Sequence, residues 1–255
     1  LLDIQATGNK NLFRSHFLRS NYPIKINGLI WMGDTDFMLE QIKIKIELGF
    51  SCLKLKIGAI NFEDELKILK SIRSEYSPDV LELRVDANGA FKPENALDKL
   101  NTLSEFDLHS IEQPIKQGQL KEMAELCELS PLAIALDEEL IGVTTLADKQ
   151  WLLEKIQPHY IILKPSLIGG IKGSNEWIEA AGELCIPWWI TSALESNIGL
   201  NAVAQYAAKF NNPLPQGLGT GQLYLNNIDC PLTLNGDQLT YNQEEKWDLS
   251  LFEEK

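Results

Sequence analysis

Short apolar runs recur along the chain, and between them stretch longer segments in which apolar residues return every three or four positions. The first pattern predicts buried strands and the second predicts amphipathic helices. Strands are expected at 24–31, 52–57, 80–86, 109–112, 132–136, 159–164 and 187–192. Helices are expected between and after them at 34–48, 62–75, 93–104, 118–128, 144–155, 170–184 and 198–209. Punctuation agrees with these limits: Pro93 stands where a helix begins, Gly169 and Gly170 part a strand from a helix, and Pro131 and Pro187 fall where new strands start. After Pro213 the chain is rich in turn residues, and PLTLNGDQLTY predicts a small hairpin around Asn235-Gly236. Residues 1–22 have weak periodicity and read as a connecting segment. Strict alternation of strand and helix predicts a parallel sheet closed into an α/β barrel.

Charged residues end these runs in a regular ladder. Lys56 closes CLKLK, Asp86 closes LELRVD, Glu112 closes HSIE, Asp137 closes LAIALD, Lys164 closes YIILK and Glu195 follows WWITSAL, at intervals of 30, 26, 25, 27 and 31 residues. In a parallel barrel the carboxyl ends of all strands face one mouth, so these side chains are expected to converge. Lys54 and Lys56, two apart in a strand, share a face. One reading of the set is structural, with each lysine paired to a carboxylate so that no charge is buried alone. The other gathers Asp86, Glu112 and Asp137 around magnesium, with waters and substrate oxygens completing the shell. In that reading Lys56 and Lys164 approach a bound substrate from opposite sides, one as base and one as a fixed charge, which suits proton transfer at a carbon next to a carboxylate. Asn88 shares the alternation of Asp86 and supplies either a contact at the mouth or an ordinary turn. The glycines of GLGTG, 217–221, form either a plain turn or a place where backbone amides approach an anion.

Composition narrows the partners. Lys and Arg number 23 against 36 Asp and Glu, a net charge of −13, and there is no basic run to attract nucleic acid. The four cysteines, at 52, 127, 185 and 230, have neither paired spacing nor a CxxC, as suits a reducing cytoplasm. No apolar stretch approaches a membrane span. His109 and His159 fall near strand starts, away from the expected mouth, and with His16 read as structural. Trp188 and Trp189 read as core. A first residue other than methionine, with so abrupt an entry into the first strand, suggests a chain that begins inside a longer protein.

The strings KLKIG, RVDANGAF, IEQPI, ALDEEL, LKPSLIGG, SALESNIGL and QGLGTG resemble the enolase superfamily, in its muconate-lactonizing-enzyme-like subgroup and most of all its o-succinylbenzoate synthase family. The resemblance implies an α/β, TIM-like (β/α)7β barrel over 23–225 and a magnesium-dependent (or manganese-dependent) carbon–oxygen lyase that carries out a syn dehydration through an enediolate. Its substrate would be 2-succinyl-6-hydroxy-2,4-cyclohexadiene-1-carboxylate, dehydrated to 2-succinylbenzoate in menaquinone biosynthesis. It implies Lys56 as base, Lys164 as the charge that stabilises the enolate, and Asp86, Glu112 and Asp137 as metal ligands. Lys54 would tune Lys56, and Asn88, Ser192, Glu195, Gly219 and Thr220 would contact substrate. Dipeptide epimerases and N-acylamino acid racemases of the same superfamily share both lysines and the metal and are the alternative. Family members also carry an N-terminal capping domain with no counterpart here; 1–22 would connect to it and 226–255 would pack against it.

Overall fold

The expected strand at 24–31 divides in two, and its halves join different sheets. β1 (Ile24–Lys25) pairs antiparallel with a strand of the C-terminal tail, whereas β2 (Gly28–Ile30) pairs parallel with β3 (Cys52–Lys56). The apolar run is continuous, but local pattern does not encode which distant neighbour each half meets. The computed structural model describes residues 12, 13, 15–19, 22–248 and 250. They fall into two units, Gly28–Trp188 and Leu1–Asn27 with Trp189–Lys255.

The first unit carries the parallel sheet. Its order is the chain order, β2-β3-β4 (Glu82–Asp86)-β5 (Ser110–Glu112)-β6 (Ile134–Leu136)-β7 (Tyr160–Leu163)-β8 (Trp188–Ile190), the last strand beginning on the unit's final residue. The crossovers are α1 (Thr35–Glu47), α2 (Phe62–Glu75), α3 (Pro93–Ser104), α4 (Leu120–Leu129), α5 (Leu146–Ile156) and α6 (Gly170–Glu183). Side-chain caps start several of them: Asp34 accepts the Phe37 amide, Asn61 the Glu63 amide and Thr145 the Asp148 amide. Leu53 and Leu55 pair with Leu83 and Val85 on one face of the sheet, and all four are buried. Both faces are covered, as a parallel sheet requires, so the opposite face is also interior. That face carries Lys54, Lys56, Arg84 and Asp86.

In the second unit β1 edges a three-stranded antiparallel sheet, β1-β10-β9, built on the expected hairpin of β9 (Leu232–Asn235) and β10 (Gln238–Tyr241). Asn235 pairs with Gln238, so Gly236 and Asp237 make the turn, and Gly236 takes a left-handed φ of 58°. α7 (Asn197–Ala207) also lies here, with Trp189 in the core. Residues 216–217 bridge in parallel to Ile26 on one side and Thr191 on the other. Seven βα steps followed by this closing stretch make the expected TIM-like (β/α)7β order. Most of the expected connecting segment (1–11, 14, 20 and 21) and the end of the tail (249 and 251–255) lie outside the described residues. No helix among the described residues is long and apolar enough to cross a membrane.

Candidate active site

Strand register assembles the site. Lys56 pairs with Asp86 and Asp86 pairs with Glu112 across three adjacent strands, so the three side chains stand at one level on one face. Glu112 pairs in turn with Ala135, which places Asp137, two residues on, at the same face just beyond β6. Lys164 follows the last residue of β7. The residues of the charged ladder from Lys56 to Lys164 thus meet in one unit, together with Lys54 and Asn88.

Each carboxylate is held by an ammonium group. Lys54 Nζ lies 2.9 Å from Asp86 Oδ2 and also pairs with Glu112 Oε2; Lys56 Nζ lies 2.5 Å from Asp86 Oδ2; Lys164 Nζ pairs with Asp137 Oδ2. Lys56 also donates to Asn88 Oδ1 at 2.7 Å. Asn88 sits at φ 44° with its own N–H on Asp86 Oδ1, and its side-chain amide donates to Glu138 Oε1 at 2.9 Å. Glu138 was not among the sequence candidates; three successive acids at the end of a strand, Asp137 to Glu139, were the signal for it. The carboxylates retain 0–3% of their side-chain surface, whereas Lys56 and Lys164 retain 14% and 15%, so a ligand arriving from solvent meets the lysines first.

These charges act on one another at short range. Burial alone would raise the Asp86 carboxyl, but the Lys54 and Lys56 ammonium groups reverse this and hold it well below the usual carboxylate range. Glu112 goes the other way: burial and the neighbouring Asp86 charge push it well above that range. Burial, then Asp137, raises Glu138. Burial alone would lower Lys54 and Lys164. The carboxylates around them outweigh it, with Asp86 and Glu112 holding Lys54 above the ordinary lysine range and Asp137 and Glu112 doing the same for Lys164.

The donor chemistry fits a hard divalent cation. Three buried carboxylates press on one another, and Glu112 Oε1 is buried without a hydrogen-bond partner, which an oxygen-seeking ion would satisfy. The side chains as they stand are engaged by ammonium groups, and among the described residues no three His, Cys, Asp or Glu side chains form a ready metal set.

The remaining candidates belong to the other unit. Ser192 and Thr220 are buried with their hydroxyls hydrogen-bonded to each other, and Ser192 Oγ is 3.3 Å from the Gly217 carbonyl. Glu195 packs its side chain against Gly199, and Gly219 is half-buried. Gly217 donates its N–H to the Ile190 carbonyl at 2.8 Å, so within GLGTG that amide is committed to the strand bridge rather than offered to an anion. His159 Nδ1 accepts the Ile134 amide and His109 Nδ1 lies 3.0 Å from Ser110 Oγ, both in structural roles, whereas His16 is exposed.

Comparison with known proteins matches residues 38–239 to the family model of enolase C-terminal domain-like proteins. The chain is 56% identical over 239 residues to an o-succinylbenzoate synthase from Desulfotalea psychrophila, covering 94% of this chain and 65% of that protein. The crystal structure of MenC from the same organism superimposes with a TM-score of 0.88 at 54% identity, over 94% of this chain and 66% of that one. A hydrophobic dipeptide epimerase from Enterococcus faecalis is 29% identical over 71% of this chain and 50% of its own. The chain thus spans slightly under two thirds of the synthase it matches and half of the epimerase.

Proposed function

The chain belongs to the enolase C-terminal domain-like family, and from that premise we propose that it is the barrel of an o-succinylbenzoate synthase, dehydrating 2-succinyl-6-hydroxy-2,4-cyclohexadiene-1-carboxylate to 2-succinylbenzoate. The observation that carries this reading is a pair of partly reachable lysines flanking three buried carboxylates, in a chain 56% identical to a synthase of that name. Lys56, in its neutral amine form, takes the proton from the carbon bearing the substrate carboxylate. That C–H electron pair moves first into the substrate carboxylate, giving an enediolate; it then returns as the new ring double bond while the neighbouring carbon–oxygen bond breaks, and protonated Lys56 gives the proton to the departing hydroxide, releasing water. One group serving both steps makes the elimination syn. Lys164, which Asp137 and Glu112 bias toward its charged form, stabilises negative charge on the intermediate from the opposite side. Lys54 holds Asp86 and Glu112 and sets the field at Lys56. Asp86, Glu112 and Asp137 would hold a magnesium ion, with manganese as a substitute; when bound, it supplies positive charge against the substrate carboxylate. The aromatic product makes the dehydration strongly downhill. This reaction belongs to menaquinone biosynthesis, which would place the protein in the cytoplasm.

The test follows the ultraviolet absorbance of the cyclohexadiene in the full-length protein. Turnover that EDTA abolishes, and that Lys56→Ala and Lys164→Ala each reduce roughly 10²–10⁴-fold, is the expected result. Dipeptide epimerisation is the second reading, favoured by the 29% identical epimerase. Deuterium incorporation into a dipeptide substrate, without loss of the cyclohexadiene, would replace the first reading with this one.

A further inference from the structure

The structure assigns to Gln113 and Glu139 a positioning role: together they set the relative placement of the three carboxylates for a divalent cation. The assignment rests on the reading of Asp86, Glu112 and Asp137 as ligands. Both residues stand in IEQPI and ALDEEL, directly after or two residues beyond a proposed ligand, and the mechanism uses neither.

Gln113 is fully buried and occupies a left-handed backbone conformation, φ 39°, which an L-residue adopts only where its surroundings hold it there. Its side chain has two donors and one oxygen acceptor, and all are engaged. Nε2 donates to the Ile115 carbonyl and to Glu139 Oε2, each at 3.1 Å. Oε1 accepts the backbone amides of Asp137 at 3.2 Å and Glu139 at 3.3 Å. Its main-chain carbonyl accepts the Gly89 amide at 2.7 Å. One residue therefore ties together the loops that follow Asp86, Glu112 and Asp137. Glu139, also buried, closes the arrangement by accepting the Gly118 amide on its other oxygen at 2.8 Å.

The bond donated by the Asp137 amide to Gln113 Oε1 is the informative one. The amide of a proposed ligand is held by the side chain of the residue next to another, so the spacing between Glu112 and Asp137 depends on one buried glutamine rather than on the sheet ladder alone. At 139 both oxygens accept, as a carboxylate allows. At 113 one end accepts and the other donates, as an amide allows.

The experiment measures Mn2+ binding to the full-length protein by electron paramagnetic resonance, with thermal unfolding in EDTA as the check on folding. Gln113→Leu is expected to weaken Mn2+ binding about 10–100-fold, the usual consequence of losing a group that orients metal ligands. Gln113→Glu sets two carboxylates face to face and is expected to weaken it as much. The double variant Gln113→Glu with Glu139→Gln restores a donor opposite an acceptor and is expected to recover part of the affinity, which separates positioning from general destabilisation even if the leucine variant folds poorly. Unchanged Mn2+ affinity in folded Gln113→Leu or Gln113→Glu overturns the inference alone. So does failure of the folded double variant to recover any affinity. No Mn2+ binding by the unsubstituted protein overturns it together with the ligand assignment, and retained Mn2+ binding without dehydratase turnover leaves the inference standing while sinking the proposed reaction.

Discussion

Asn88 and Gly89 show how much of the site depends on single backbone conformations. Asn88 holds φ 44° and presents one end of its amide to Lys56 and the other to Glu138. Gly89 follows at φ 73°, and a Cβ there would stand 2.9 Å from the Lys116 Cα, a backbone atom with no room to give. Gly89→Ala is therefore expected to cost about 1–3 kcal/mol, from the left-handed conformation and the clash together. A urea titration reads the loss directly, and an unchanged midpoint would contradict it. The run DANG was legible as a polar turn. That its asparagine reaches a lysine 32 residues back and a glutamate 50 residues on was not, because a turn propensity describes the chain's neighbours in sequence and says nothing of those in space.

At the scale of elements, the loops at the strand ends are secured by side chains from the helices beside them. Arg73 on α2 donates to the carbonyls of Phe106, Leu81, Tyr76 and Asp107, at 2.7, 2.8, 3.3 and 3.1 Å, and so ties the end of its own helix to the turns before β4 and β5. Arg73→Ala should lower stability by roughly 2 kcal/mol, since each charge-assisted bond contributes more than a neutral one while the freed carbonyls regain water. Glu65, also on α2, receives the Gly58 amide at 2.6 Å and holds the loop that directly follows Lys56. Burial raises its carboxyl despite that bond. A carboxyl raised in the folded state makes stability fall as pH rises from the ordinary glutamate range, near 4.3, toward the raised value. Glu65→Gln removes the titration, so unfolding free energy measured across that window should flatten in the variant; an identical slope would exclude Glu65 as its source. The helices could be read from spacing because their bonds are local. Spacing does not single out Arg73 or Glu65, because their partners are carbonyls and amides that only the packed loops bring close.

For the whole molecule, the site concentrates opposed charges that no element could bury alone. Three ammonium groups and three carboxylates compensate one another inside the sheet, and removing one partner exposes the rest to an uncompensated charge. A divalent cation bound at the carboxylates stabilises the folded state by mass action, by about 2.7 kcal/mol at a hundredfold excess over its dissociation constant. Magnesium should therefore raise the unfolding midpoint of the full-length protein, and Asp137→Ala should abolish the rise. A rise of the same size in the variant would mean that magnesium acts elsewhere. The net charge of −13 repels nucleic acid yet does not favour one small carboxylate over another, so choice of substrate belongs to local geometry.

By itself the sequence determined the order of elements, the parallel topology and the ladder of charges at strand ends, because periodicity and the repeat of strand and helix are local properties that recur along the chain. It also marked Lys54, Lys56, Asp86, Glu112, Asp137 and Lys164, not one by one but as a set recurring at equivalent positions of successive strands. Tertiary structure alone decided that 24–31 serves two sheets, that Glu138 faces Asn88, and that Gln113 carries the amides of Asp137 and Glu139. Those outcomes turn on hydrogen bonds between residues far apart in the chain. Their partners are chosen by the register of the sheet and the path of the loops, which exist only once the chain has folded.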